Sequence, residues 1–175
     1  MTLAAKSLLL IAVLGLAACN NPDRYGAGGA GGAGGAGGAG GIDTTGLGDP
    51  NNPTSIAYFN QTVGDRVLFA VDQSTISPEG RGILTAQANW LNQNTGYAAI
   101  IEGHADEQGT REYNLNLGAK RAAAVQNFLI SQGVAANRLR TISYGKERPL
   151  EVCSEEACYA KNRRAVTVLS AGAGA

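Results

Sequence analysis

The chain has 175 residues, and its 14 lysine and arginine side chains balance 14 aspartate and glutamate side chains. With 25 glycines, this length suits one compact domain together with a sizeable non-globular part. Because neutralising phosphates needs a surplus of basic side chains on some face, the even balance disfavours a nucleic-acid partner.

The N-terminus has the parts of an export signal. Lys6 precedes an apolar run over residues 8–16, and two alanines follow before Cys19. The run is far shorter than the roughly 20 residues of a transmembrane helix, so residues 1–18 are predicted to be a cleaved signal peptide. Residues 16–19, Leu-Ala-Ala-Cys, resemble the lipobox of bacterial lipoproteins, which implies lipidation of Cys19. Ordinary cleavage just before this cysteine is the alternative.

Residues 19–52 are predicted to be the lipid anchor and a flexible tether. Residues 26–41 repeat Gly-Gly-Ala and carry no large side chain, so burial cannot offset the entropy of ordering them. A glycine period of three also occurs in collagen, but these triplets lack proline. Random-coil scaling gives the tether a span of roughly 30 Å. The folded domain is predicted over residues 53–170, with a flexible tail at 171–175.

Four apolar runs predict strands, and two periodic stretches predict helices. The first helix begins at the cap Ser77 with Pro78 in its first turn, and the second runs from Asn114 to Leu129 before Gly133. The predicted strands cover residues 66–71, 97–102, 139–144 and 165–169. The order β-α-β-α-β-β predicts an α/β fold, a two-layer sandwich with both helices on one face of a mixed sheet.

Candidate functional residues follow the first two predicted strands. Asp72 comes directly after the first strand, and His104 and Asp106 come directly after the second. In open α/β sheets, ligand clefts form at the carboxyl ends of strands. We therefore expect the site at this edge of the sheet.

Four motifs carry a resemblance to a known family. They are Glu102-Gly-His-Ala-Asp106-Glu-Gln-Gly109, Asn114-x-x-Leu117-Gly118-x-x-Arg121-Ala122, Ser143-Tyr-Gly-Lys146-Glu-x-Pro149 and Asn162-Arg-Arg-Ala-Val166. In this order they resemble the OmpA-like peptidoglycan-binding domain, and the resemblance covers about residues 55–170. The usual pattern has serine at position 118, although glycine is familiar in the lipoprotein branch. The resemblance supports the predicted two-layer fold.

The resemblance implies a site for the diaminopimelate residue of the peptidoglycan stem peptide. In the family, an acid of the Gly-His-x-Asp motif and the arginine of the helix motif hold this residue, and they correspond here to Asp106 and Arg121. Asp72 and Leu117 are implied as further contacts, whereas Val71 replaces an aromatic that many members have. An acid and a planar guanidinium suit a ligand that ends in an ammonium and a carboxylate.

Each of these residues also has a structural interpretation. Asp106 and Arg121 could form an internal salt bridge, Asp72 could cap a turn, and Leu117 could belong to the core. His104 is the single histidine, and no second histidine or free cysteine joins it, so it is expected to be structural. We expect no metal and no cofactor.

Two further residue pairs lie near the C-terminal end of the predicted domain. Cys153 and Cys158 are expected to form a disulfide in an exported protein, with a zinc pair as the alternative. Arg163 and Arg164 begin the last predicted strand, where charged residues at a sheet edge are commonly solvated or protective.

The leading hypothesis is a lipoprotein that binds peptidoglycan and tethers a membrane to the cell wall. Asn20, rather than aspartate, follows the lipidated position, which by resemblance implies the outer membrane, with the domain on its periplasmic face. The family also implies TolB and TolA as protein partners.

Two other classes of function compete with this hypothesis. One is an OmpA-like lipoprotein of another envelope machine, such as a flagellar stator or a secretion system. The other is a cell-wall hydrolase, which would need an activated nucleophile, a zinc triad or two differently tuned carboxylates. Because the sequence offers one histidine and no nucleophile elbow, the chain is predicted not to be an enzyme.

Overall fold

The computed structural model describes residues 47–152 and 154–171. The predicted signal peptide, the predicted lipidation site Cys19, most of the tether and the last four residues lie outside this part of the chain. The expectations about them remain predictions. Among the described residues, no helix is both long and apolar enough to cross a membrane.

The described residues form four helices and four strands. In chain order they are α1 Ile56–Tyr58, β1 Arg66–Leu68, α2 Pro78–Gln93, β2 Tyr97–His104, α3 Arg111–Ser131, β3 Leu139–Gly145, α4 Glu156–Asn162 and β4 Arg164–Ala171. A π-helical segment, Phe59–Gly64, extends α1, and a 3-10 turn, Ala136–Arg138, precedes β3.

The strands form one mixed sheet in the order β1-β4-β2-β3. β2 and β3 are parallel, whereas β4 is antiparallel to both β1 and β2. The last strand in the chain therefore lies inside the sheet, between the first two. The predicted α/β class with a mixed sheet is confirmed.

One face of the sheet and the two long helices enclose the hydrophobic core. Side chains alternate across a strand, and in β2 the residues Tyr97, Ala99 and Ile101 are buried. They share one core cluster with Leu84 of α2 and Leu129 of α3. Both helices thus cover the same face, as predicted.

An aromatic group attaches the N-terminal segment to this core. The ring centroids of Phe59 and Trp90 lie 5.0 Å apart, and those of Trp90 and Tyr97 lie 5.1 Å apart. Trp90 Nε1 donates to the carbonyl of Pro53 at 2.7 Å, and the Tyr97 hydroxyl donates to that of Thr54 at 2.8 Å. Both rings are thus buried while the indole N–H and the hydroxyl each donate a hydrogen bond, as buried Trp and Tyr require.

The helix caps explain where the long helices begin. Ser77 accepts from the amide of Gly80 at 3.1 Å, as the predicted cap requires. α3 begins at Arg111, earlier than the predicted Asn114, because the Thr110 hydroxyl accepts from the amide of Tyr113 at 3.2 Å. β1 is shorter than predicted and ends at Leu68, since the chain turns before Asp72. α4 was not predicted from the sequence.

Two glycines allow α3 to lie directly on β2. A Cβ atom at Gly103 would lie 1.8 Å from the carbonyl oxygen of Gly118. A Cβ atom at Gly118 would lie 2.4 Å from Ser143 Oγ and 2.8 Å from the oxygen of Gly103. The helix therefore approaches the strand more closely than any side chain would permit. This contact accounts for glycine where the usual motif has serine.

Candidate ligand-binding site

The predicted site residues meet where β1, β2 and the start of α3 converge. A cleft of about 220 Å³ lies there, lined by Val71, Asp72, Asp106, Gln108, Gly109, Tyr113, Asn114 and Leu117. Asp72, Asp106 and Leu117 therefore share one surface depression, although they come from three separate segments. Arg121 is completely buried one helical turn beyond Leu117.

Asp72 sits in an unusual backbone conformation at the rim of the cleft. Its φ is 57°, and among the described residues it is the one non-glycine with positive φ. Such conformations cost free energy and cluster at functional sites. The Tyr113 hydroxyl donates to Asp72 Oδ1 across the cleft. The side chain is thus directed toward α3 rather than toward its own turn.

Asp106 is nearly buried, with 7% of its surface exposed. Oδ1 accepts from the amide of Gln108 at 3.2 Å, and Oδ2 accepts from Arg163 Nη1 at 3.1 Å. Its ion-pair partner in the described structure is therefore Arg163, and not Arg121 as the structural interpretation of the sequence supposed.

Arg121 lies beneath the cleft and joins three backbone segments. Nε donates to the carbonyl of Gln73 at 2.8 Å, Nη1 to that of His104 at 2.8 Å and Nη2 to that of Ala70 at 3.1 Å. These bonds use three of the five N–H groups that a guanidinium carries, which leaves one on each terminal nitrogen.

Burial and neighbouring charges act on the pKa of Arg121 in opposite directions. Burial lowers its pKa to about 10, the negative charges of Asp106 and Asp72 oppose that fall, and the positive charge of Arg163 adds to it. The group is still a cation at neutral pH. A buried cation between two carboxylates gives this region both signs of charge.

Arg163 is the residue of the site that sequence reasoning placed wrongly. Arg163, which caps the end of α4, and Arg164, which begins β4, are both buried, and β4 is an inner strand and not a solvated edge. The Arg163 guanidinium bonds Asp106, the carboxylate of Glu156 in α4 and the carbonyl of Phe69. The bond to Glu156 is the main cause that raises the pKa of Arg163. The Arg-Arg pair in the Asn162–Val166 motif was the sequence signal that could have pointed to a role for Arg163 at the site.

The loop that carries Asp106 is held from the opposite side by the β3–α4 region. Lys146 Nζ donates to the carbonyls of Gly109 at 2.7 Å and Glu107 at 3.3 Å. The Tyr159 hydroxyl donates to Glu107 Oε1 at 2.9 Å. The Ser143–Pro149 motif therefore contributes to the shape of the cleft without lining it.

His104 is the last residue of β2 and is buried. Neither ring nitrogen has a hydrogen-bond partner, and Nε2 lies 3.7 Å from Glu102 Oε2. Burial, followed by the positive charges of Arg164 and Arg148, lowers the pKa of His104 to about 4. Within residues 47–152 and 154–171, no group of three or more potential ligands could hold a metal ion. The burial of His104, its unpartnered ring nitrogens and its lowered pKa support a neutral, structural histidine.

The predicted disulfide is described at one end only. Cys158 in α4 is disulfide-bonded. Cys153 lies outside the described residues, so its pairing with Cys158 remains a prediction.

A model of the OmpA family matches residues 68–163 of the 175, and the chain belongs to this family. Its relatives include proteins named peptidoglycan-associated lipoprotein. The one from Mesorhizobium japonicum is 57% identical over 122 residues, which are 70% of this chain and 72% of that protein. The one from Agrobacterium fabrum is 53% identical over 131 residues, which are 74% of this chain and 73% of that protein.

Solved structures agree with this assignment. The crystal structure of the peptidoglycan-associated lipoprotein from Burkholderia pseudomallei matches with a TM-score of 0.62 and 36% identity, covering 70% of this chain and 100% of that one. The C-terminal domain of Helicobacter pylori MotB matches with a TM-score of 0.57 and 23% identity, covering 61% of this chain and 84% of that one, and shows the fold alone. The family resemblance is confirmed. The names of the curated relatives describe lipoproteins, which agrees with the prediction that the chain is not an enzyme.

Proposed function

We propose that this chain is an outer-membrane lipoprotein that binds the diaminopimelate-containing stem peptide of peptidoglycan without covalent chemistry. The observation that carries the proposal is the meeting of Asp72 and Asp106 in one cleft above the buried cation of Arg121. The diaminopimelate side chain ends in an ammonium and a carboxylate. Two carboxylates in the cleft and a cation buried beneath it are complementary to such a zwitterion.

Each end of the ligand has a suitable partner. The ammonium can donate to the Asp72 and Asp106 carboxylates. The Arg121 guanidinium is completely buried and does not line the cleft, so it would attract the ligand's carboxylate through its charge from beneath rather than by direct contact. The apolar chain between these ends would lie against Leu117. Charge-assisted hydrogen bonds shielded from water contribute about 1.5 to 3 kcal/mol each, which is enough for moderate affinity.

Moderate affinity suffices for tethering. Acyl chains on Cys19 would hold many copies on one membrane, and the glycine-rich tether would let each domain reach the wall. Binding of many linked sites to one polymer strengthens attachment through effective concentration. By family resemblance the chain acts in the Tol-Pal system, with TolB and TolA as partners, in envelope integrity and cell division.

The proposal is tested by co-sedimentation of the full chain, in detergent, with purified diaminopimelate-type peptidoglycan. We expect the wild type to pellet and Asp106→Asn to remain soluble. Asp72→Asn is the second variant, because asparagine tolerates the left-handed backbone of that position. Asp49→Asn, an exposed site outside the cleft, is the matched control and should pellet like the wild type. A soluble wild type would refute the function, and pelleting of both cleft variants would refute the site.

A TolB pull-down separates this proposal from the alternative of another envelope machine. Capture of TolB by the full chain supports the Tol-Pal assignment. Wall binding without TolB capture would favour the alternative.

A further inference from the structure

A second lobe adjoins the cleft and shares three lining residues with it. This lobe has a volume of about 260 Å³ and is lined by Asp72, Ser74, Tyr113, Asn116, Leu117 and Lys120. Asp72, Tyr113 and Leu117 line both lobes. A ligand long enough to cross these three residues would therefore occupy both.

The two lobes differ in charge. The first contains the Asp106 carboxylate, whereas the second contains the Lys120 ammonium, the Ser74 hydroxyl and the Asn116 amide, all of which can donate hydrogen bonds. Asp72 Oδ1 at the boundary already accepts from Tyr113. The second lobe thus favours an anionic group.

Lys120 is available for such a group. Within the described part of the chain it makes no hydrogen bond or ion pair, whereas Lys146 and Lys161 are both bonded to other residues. Asn116 lies four residues before it on α3, so the two side chains share one face of the helix. Arg121, the next residue, is buried. Consecutive residues of α3 therefore place one cation beneath the first lobe and another in the second.

We propose that the second lobe binds a second carboxylate of the wall peptide through Lys120. The inference rests on the proposed function and extends it, because it assigns a place to the peptide beyond the side chain of the diamino acid. Two carboxylates have the required chemistry. One belongs to the glutamyl residue that precedes the diaminopimelate, and the other is the main-chain carboxylate of the diaminopimelate itself.

The test is calorimetric titration of the full chain, in detergent, with three synthetic peptides. The first is the alanyl-γ-glutamyl-diaminopimelate peptide with both carboxylates free, and the others carry an amide at one of the two. We expect Lys120→Gln to weaken binding of the free peptide by about fivefold, as for an exposed ion pair of good geometry. Lys120→Gln should bind one of the two amidated peptides as tightly as the wild type does, because that peptide already lacks the carboxylate that Lys120 contacts. The position of the amide in that peptide identifies the carboxylate.

The matched control is Lys161→Gln, which makes the same chemical change at a lysine paired with Glu151, away from both lobes. It should bind all three peptides like the wild type. The inference is overturned if Lys120→Gln binds the free peptide as tightly as the wild type, or if it weakens all three peptides equally. Absence of wild-type binding to every peptide would instead overturn the proposed function, and this inference with it.

Discussion

Arg163 Nη1 lies 3.1 Å from Asp106 Oδ2, and this bond links the C-terminal end of α4, directly before the last strand, to the loop that follows β2. The same guanidinium reaches Glu156 in α4 and the carbonyl of Phe69. Arg163 therefore sets the position of the carboxylate that we propose as a ligand contact. It acts as a positioning residue, since it does not line the cleft.

Removal of Arg163 should reduce stability more than removal of its exposed partner. Arg163→Met would leave Asp106 almost buried without its cation, and breaking such a pair costs about 3 to 5 kcal/mol. Glu156→Gln affects an exposed carboxylate whose ion pair is screened by solvent, so its loss of stability should be much smaller. Urea unfolding of both variants measures the two free energies. Equal losses of stability in the two variants would show that the Arg163–Asp106 bond contributes no more to stability than the Arg163–Glu156 bond does.

Lys146 should affect ligand binding without a large effect on stability. Lys146→Met removes the bonds to the carbonyls of Glu107 and Gly109, so the loop that carries Asp106 loses its outer support. We expect peptidoglycan affinity to fall by about fivefold, while the free energy of unfolding changes by less than about 1 kcal/mol. Quantitative co-sedimentation and urea unfolding provide the two readouts. Lys161→Met is the matched control, and an equal fall in its affinity would refute the role of Lys146.

His104 should make the folded state sensitive to mild acid. Its pKa is about 4 in the folded protein and about 6.5 in an unfolded chain, so between these values the unfolded chain binds more protons. Stability therefore rises with pH through this window and falls as pH drops from 6.5 toward 4. The expected slope from this group is up to about 1.4 kcal/mol per pH unit.

Urea unfolding at pH 7 and pH 4.5 of the wild type and of His104→Gln measures this contribution. Since glutamine does not titrate, the variant should lose less stability on acidification than the wild type. The carboxylates titrate in both proteins, so their effect cancels in the difference. An identical loss in both would assign the acid sensitivity to other groups.

The glycine contact between β2 and α3 predicts a graded series. Gly103→Ala would press a methyl group into the backbone oxygen of Gly118 and should lower the free energy of unfolding by more than about 3 kcal/mol. Gly118→Ser should lower it by about 1 to 3 kcal/mol. Adding Ser143→Ala to the Gly118→Ser variant should recover only part of that loss, because the oxygen of Gly103 remains 2.8 Å from the new Cβ at position 118.

Gly82 provides the matched control for this series. It lies within α2, and a Cβ there would meet no atom within 4 Å. Gly82→Ala should raise the free energy of unfolding by about 0.5 to 1 kcal/mol, because alanine loses less backbone entropy on folding. Thermal and urea unfolding of the whole series check the order. A Gly103→Ala variant as stable as Gly82→Ala would contradict the close contact.

Local patterns were enough to predict the helices and the approximate strands. Ser77 and Gly80 are neighbours in sequence, and a hydroxyl that caps a helix acts over one turn. The alternation that buries Tyr97, Ala99 and Ile101 is likewise a property of a short segment. The sequence predicted that Asp72, Asp106 and Leu117 lie near one another, because they follow strands or lie near the start of the helix that meets the same edge, and the structure brings all three to one cleft.

The sequence by itself thus determined the fold class, the family and three of the side chains that line the cleft, Asp72, Asp106 and Leu117. Only the tertiary structure decided that β4 lies between β1 and β2, and hence that Arg163 is buried and bonded to Asp106, 57 residues away. It also decided that Arg121 binds three backbone carbonyls beneath the cleft. The physical reason is the separation in sequence over which each interaction acts. Caps and periodicity act between residues a few positions apart, whereas the partner of a buried charge depends on which distant segments the folded sheet makes neighbours.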